Sequence, residues 1–568
     1  MRIPLICAVC CFLMGALCSS VTAYAQDDIL LKTMGDELDR EMEALKKAEV
    51  PPYYIDYRIN ELHLASISAS FGSVVRSLQD KARLLTTSVR IGTYTVDDSH
   101  DVEQHSGSYN ENGYGSDLVL PFDNEPVAIQ QFLWRATENE YKRALFDYKN
   151  VRKELENPSS KKKSEVADFS RETPSRYYEP PLKDISLLLD KKEWEEKLKS
   201  YTHPFLANKD IFACDAVLQF TAERKYFASS EGSRIAQNMT YANLTISATI
   251  RTDDEDMVPL YLSYFGFTPD HLPDSQTILR DIQLMIIKLE KLKSAPLAEP
   301  YSGPAILHAR AAGVFFHEIF GHRVEGHRLK SNDDGQTFKA KLGENVLPHS
   351  VNVTFDPTAS VYKGQDLVGA YAYDDEGVQA RRVHVVENGV LKTFLMSRTP
   401  LEGFSSSNGH GRAAAGVHAV SRQSNMIVES TVQMSMEDLR KKLIKECRKQ
   451  DLKYGYLFKE VTGGFTNTDR YSANVFNIMP TEVYRVYVDG RADELVRGVD
   501  LIGTPLAMFA EIKAGSNDYE IFTGVCGAES GGVPVSATAP SFFVRRVETQ
   551  KKPKHNVEMP LLDRPVQP

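Results

Sequence analysis

The segment AGVFFHEIFGHRVEGHRLK, Ala312–Lys330, constrains the fold of this chain more tightly than any other. Phe315-Phe316 precedes His317-Glu318, a second histidine follows at His322 and a third at His327. Histidines flanking a glutamate are the materials of a metal site, where imidazoles hold the ion and an adjacent carboxylate takes a proton. Each residue of a regular α-helix turns about 100°, so residues five apart point about 140° away from each other. His317 and His322 therefore cannot grip one small ion from an unbroken helix, whereas residues four apart differ by only about 40°. Three arrangements remain open: a π-turn that brings both onto one face, a helix ending near Gly321 with His322 on the following loop, or a pair that binds no metal. Gly321 is compatible with the first two, since glycine weakens regular helix. By spacing alone HExxxH is a weak motif, and a helix with one core histidine and two surface ones accounts for it as well.

With 568 residues the chain is too long for one core, and about two to four domains are expected. A hydrophobic content of 42% with 25% charged residues is ordinary for a soluble globular protein. The net charge of -10 offers no broad basic surface, which argues against nucleic acid as a partner. Residues 1–25 read as a signal peptide. Arg2 precedes an apolar run from Ile3 to Leu17, and Ala23-Tyr24-Ala25 forms a cleavage site. The run is shorter than the roughly 20 residues that span a bilayer, and no other segment is apolar enough to cross one. An exported protein, periplasmic or extracellular, is expected. Cys7, Cys10, Cys11 and Cys18 leave with the signal, and the mature chain keeps Cys214, Cys447 and Cys526. An odd number leaves at least one thiol to be buried or bound to metal.

The pattern predicts an α+β protein. An N-terminal mixed domain, residues 26–300, begins with an amphipathic helix over Ile29–Lys47, followed by antiparallel strands within Tyr53–Val96. A loop is expected over Asp97–Asp117, helices over Val127–Glu156, Ile185–Tyr201 and Asp281–Leu297, and strands within Ile211–Ile250. Tyr301-Ser302-Gly303-Pro304 reads as a turn at a domain boundary. The C-terminal domain, residues 301–548, reads as mainly β with one or two functional helices, one of which carries HEIFGH. Asn388-Gly389 and Asp489-Gly490 are hairpin-turn signals. Residues 549–568 read as a poorly ordered tail.

Five segments, in order, resemble those of the TldD/PmbA family of metallopeptidases: FFHEIFGHRVEG, YDDEGVQARRVHVVENGVLKTFLMSR, SSSNGHGRAAAG, ELVRGVDLIGTPL and GVCGAESGGVPVSATAPSFFVRR. They cover roughly Ala305–Arg546, while the N-terminal half matches only loosely. The resemblance implies one zinc ion per chain, held by His317, His322 and Cys526, with Glu318 as general base. It also implies peptide substrates that are short or unfolded, and a homodimer or a heterodimer with a family relative. A metal-bound thiolate would account for the odd cysteine. The chain departs from the family at His327, where an acidic residue is common; a helix-end surface histidine is the simplest reading, with a spare metal ligand or a substrate contact as the alternative. Glu325 matches a family acidic residue and is a candidate for supporting a ligand. The export signal is a second departure, because many members are cytoplasmic. His410 and Arg412 are candidate substrate contacts in a Gly-rich segment. Asp374-Asp375-Glu376 lacks the oxygen spacing of a calcium loop and reads as a backbone-positioning cluster near the cleft. Lys161-Lys162-Lys163 reads as a solvated charge run. The alternatives to a peptidase are a non-catalytic partner subunit and a metal-binding structural protein.

Overall fold

Pro52–Ser70 and Ser73–Ile91 contain short runs in which apolar and polar residues alternate, and these segments form a long antiparallel hairpin. Its turn is Phe71-Gly72, with φ of 46° and 80°, the left-handed pair that suits the strand twist. The computed structural model describes residues 28–100, 119–156, 166–182, 188–330, 336–466, 468, 476–552 and 565. The expected leader, most of the expected Asp97–Asp117 loop, the Lys161-Lys162-Lys163 run and most of the expected tail lie outside the described residues; residues 549–551, expected in that tail, instead end a strand, because Thr549, Gln550 and Lys551 pair with Leu501, Asp500 and Val499.

The hairpin belongs to a six-stranded sheet. Its order is Ser73–Ile91, Pro52–Ser70, Ile211–Ser229, Arg234–Arg251; Arg176–Tyr178 and Met257–Gly266 both pair with the last of these. One face is apolar and carries the helices. Helices Ile29–Leu45 and Pro126–Glu156 pack on Ile55, Tyr57, Leu85 and Val89. Helices Lys191–Thr202 and Ser275–Lys293 pack on Ile67, Leu218 and Leu244. Two of these helices start elsewhere than the pattern predicts, because a cap decides the position. Asp190 accepts from Glu193 N, and Asp274 accepts from Gln276 N and Thr277 N.

The second sheet has twelve strands. Asn388-Gly389 turns Val383–Glu387 back onto Val390–Leu391 as predicted, both turn residues having positive φ. Tyr301–Leu307, expected to start with a turn, is a strand. Tyr301 stacks on Tyr454 and meets Tyr456 edge-on, and Gly303 sits where a Cβ would meet the Tyr301 hydroxyl at 2.5 Å, so packing holds the segment extended. This strand pairs with Tyr454–Thr466 on one side and Gly531–Lys551 on the other. The path continues through Val499–Gly503 and Phe476–Tyr487, so five strands close on themselves. Ile512–Ala528 forms a second long hairpin with Gly531–Lys551. A helix that the pattern does not predict, Met436–Lys449, is capped by Ser435 and buries Cys447.

The polar face of the first sheet meets the second half of the chain. Lys225 Nζ lies 2.9 Å from Asp375 Oδ1, Gln237 Nε2 donates to Tyr373 O at 2.7 Å, and Arg58 donates to Ala414 O at 3.1 Å and to Val417 O. Arg398 is the strongest tie. It forks onto Glu231 with two contacts of 2.8 Å and donates to Ser170 O, and it is 1% exposed. Asp374, Asp375 and Glu376 accept backbone N–H groups from Gly411, Ala413 and Arg398 respectively. The acidic cluster thus positions backbone at this interface rather than beside the cleft. Arg398→Met is expected to leave Glu231 without its charged partner, with the Tyr94 hydroxyl still donating to it, and to lower stability by about 3–5 kcal/mol, read as a fall in the denaturant midpoint relative to wild type.

Candidate metal centre

The HEIFGH helix is apolar nearly all round. It runs from Ala309 to Ile319, and every residue except Arg310 is buried. Phe315 and Phe316 meet Phe476, Phe509 and Phe542. Gly313 permits close approach to the Gly531–Lys551 strand, since a Cβ there would meet Ala537 O at 2.7 Å. The α-helix then ends rather than bulging: Phe320 is its C-cap, and Gly321–Val324 forms a 3₁₀ turn that carries His322. Arg323 donates to Glu318 O at 2.9 Å and to Ile319 O at 3.3 Å, which satisfies carbonyls freed by the helix end.

The break brings the two histidines together. Their rings lie 5.0 Å apart at 76°. Cys526, on the Ile512–Ala528 strand, places its Sγ 3.4 Å from His322 Nε2. One donor atom from each of His317, His322 and Cys526 lies within 4.8 Å of the others, and all three residues are buried. Glu318 Oε2 stands 4.0 Å from His322 Nε2. His322 Nδ1 lies 3.2 Å from Glu325 Oε2; with its N–H donated there, Nε2 is left as the donor atom toward Cys526.

The three groups shift one another's protonation. Burial pushes the Cys526 thiol up, but the charges of His322 and His317 outweigh burial and hold it well below the usual thiol range. Burial pulls His322 down, but Cys526 and Glu325 outweigh it and push it up to about 10. Two imidazoles and a thiolate, converging with one side open, are a borderline-soft donor set that fits a divalent metal. The set sits in a cleft of 770 Å³ between the Met257–Gly266 strand, the Ser275–Lys293 helix and the second sheet.

The other predicted residues are placed differently. His327 is not a surface residue: its Nε2 pairs with Glu529, and only a tenth of its side chain is exposed. His410 is fully buried, with Nε2 3.1 Å from Ser424 Oγ, and burial pulls it down to about 3, so it is neutral. Arg412 donates to the carbonyls of Gln423 and Pro534. Neither His410 nor Arg412 lines the cleft, because both are spent within the protein interior. Glu325 is fully buried beneath His322. Arg328 and Glu529 were not predicted, yet both line the cleft. Arg328 joins Glu325 at 3.0 Å to Glu529 at 2.7 Å. Glu529 lies within the matched GVCGAESGG segment, three residues after Cys526.

Residues 300–551 match the domain model described as the PmbA/TldA metallopeptidase C-terminal domain. A metalloprotease of Methanocaldococcus jannaschii is 27% identical over 437 residues, covering 75% of this chain and 85% of the relative. A zinc metalloprotease TldD homolog of Saccharolobus solfataricus is 26% identical over 348 residues, covering 61% of this chain and 72% of the relative. The crystal structure of TldE from Thermococcus kodakarensis superposes with a TM-score of 0.57 at 14% identity, covering 90% of this chain and all of that one. The second half of the chain is thus similar to that domain. The domain match and the names of the relatives make residues 300–551 similar to TldD/PmbA proteins, and the TldE structure shows a shared fold.

Gly321 is tightly constrained, because an added Cβ would meet Gln423 Oε1 at 1.9 Å. Gly321→Ala is expected to cost about 1–3 kcal/mol by overpacking, measured as a shift in the denaturant midpoint. Cys214 and Cys447 are buried in apolar clusters, and burial pushes the Cys447 thiol up to about 12. In metal-free native protein, iodoacetamide followed by peptide mass mapping should label Cys526 far ahead of the other two, and added divalent metal should protect it.

Proposed function

We propose that this chain is an exported zinc metallopeptidase that cuts short or unfolded peptides. The observation that carries this reading is the convergence of His317, His322 and Cys526, with Glu318 beside them, on the floor of an open cleft. These three residues would hold one zinc ion. When bound, the ion supplies Lewis acidity that polarises a peptide carbonyl and makes water a usable nucleophile near neutral pH.

Glu318 is the general base. Its carboxylate takes a proton from the attacking water and hands it to the leaving amide nitrogen. The Tyr454–Thr466 strand packs closely against Glu318, since a Cβ on Gly464 would meet Glu318 Cγ at 2.8 Å. Glu318 is only 7% exposed, which favours a single extended chain over the surface of a folded protein as substrate. Exposed apolar side chains along the cleft, Tyr261, Leu284, Phe465 and Val525, offer surfaces for apolar residues of such a chain. Export rests on the leader-like residues 1–25. Among the described residues no helix is long and apolar enough to cross a membrane. The reading includes assembly as a dimer, either of two such chains or with a relative of TldE type.

Glu318→Gln is expected to keep one metal per chain and to lose about a hundred- to ten-thousand-fold in peptide cleavage, followed by mass spectrometry on a proteome-derived peptide library. Cys526→Ser should lose the metal itself. Wild-type protein without stoichiometric metal, or a Glu318→Gln variant that cleaves as wild type does, would sink the proposal.

A further inference from the structure

Two adjacent residues outside the donor set touch every element that carries it. Arg422 and Gln423 follow the short Val420–Ser421 strand and are 0% and 1% exposed. Arg422 Nη2 donates to Cys526 O at 2.6 Å, and Nη1 donates to Ser530 Oγ at 2.7 Å and to Gly531 O at 2.9 Å. It thereby holds both limbs of the hairpin that presents the thiol. Its Nε lies 3.5 Å from Glu325 Oε1, and the other oxygen of that carboxylate holds His322. Gln423 points to the third element. Its Nε2 donates to His317 O at 3.3 Å, and its amide fills the space left open by Gly321. The pair is itself anchored: Arg422 N donates to His410 O at 2.9 Å, and Arg412 donates to Gln423 O.

The three donors come from a helix, a 3₁₀ turn and a strand, and no two share an element. No hydrogen bond within a single element can fix their separations. We propose that Arg422-Gln423 is the positioning brace of the metal centre, setting the thiolate and the two imidazoles at the spacing one ion needs. This rests on the metallopeptidase reading of the same site. An arginine suits the place because its planar fork directs several donors at once, toward three hairpin acceptors on one side and a carboxylate on the other. A lysine offers a point charge that reaches one side or the other. The role follows from position alone: neither residue lines the cleft, so neither touches substrate.

The test loads wild type, Arg422→Lys and Gln423→Leu with zinc or cobalt(II). Affinity is read by competition with a chromogenic chelator, and geometry by the thiolate-to-cobalt charge-transfer absorption. Denaturant midpoints of the metal-free proteins are recorded alongside. Each variant is expected to bind metal about 10- to 100-fold more weakly and to show a displaced cobalt spectrum, while metal-free Gln423→Leu unfolds near the wild-type midpoint. Wild-type affinity and spectrum in either folded variant overturns the brace. Failure of both variants to fold overturns it too, because the pair is then a folding element. A wild-type chain that takes up neither metal defeats the metallopeptidase reading instead, and that outcome is distinct from metal-binding wild type with unaltered variants.

Discussion

A helix that ends inside a protein leaves its last carbonyl groups without partners, and these must be answered by other parts of the chain. The Ala309–Ile319 helix ends in this way, and the answer to that deficit organises the region around it. Gln423 reaches His317 O, and Arg323 reaches the carbonyls of Glu318 and Ile319. Gly321 leaves the room that Gln423 occupies. The contacts that satisfy the helix end are therefore the contacts that bring His322 around toward His317. Below them lies a layer of buried charge, Glu325 with Arg328 and Arg422. Each of these groups would be costly alone, and they are tolerable only because their charges face one another.

The Gly531–Lys551 strand is the frame on which this is mounted. It pairs with Asn425–Ser430, Val499–Gly503, Ile512–Ala528 and Tyr301–Leu307 at successive parts of its length. It also bears the HEIFGH helix, through Ala537 opposite Gly313 and Phe542 against Phe316. The helix presents His317, and the 3₁₀ turn after it His322, toward the hairpin that presents Cys526, so the same strand supports both sides of the donor set. The first sheet supplies the facing wall. Arg398, Lys225 and Arg58 hold its polar face against the second half of the chain, and the cleft lies between the two.

Much of this is legible in the residues. Short alternating runs mark the long strands of the first sheet, because one face is apolar and the other is not. The five-residue spacing of HEIFGH by itself excludes a continuous helix that holds both ligands, although it leaves open whether the chain bulges or stops. What alternation and spacing do not carry is contact at a distance. Tyr301–Pro304 looks like a turn because Gly and Pro usually mark one; only its tyrosine neighbours make it a strand. Asp190 and Asp274 move helix starts through local capping bonds. His410 and Arg412 carry side chains suited to chemistry, yet their partners, Ser424 Oγ and the carbonyls of Gln423 and Pro534, consume them. Arg422 and Gln423 sit in a plain SRQSN stretch, and their importance depends on partners some hundred residues away on either side.

The distance between His322 and Cys526, 204 residues along the chain, has a consequence for biogenesis. Synthesis delivers the histidines long before the thiol, and the hairpin that carries the thiol is the last large element of the second sheet to be made. A nascent chain has no complete donor set, and it gains one only when that hairpin has joined a sheet whose other strands already exist. For a chain that acts on unfolded peptides as proposed, this ordering is a safeguard. The donor set is complete only once its own polypeptide has folded around it.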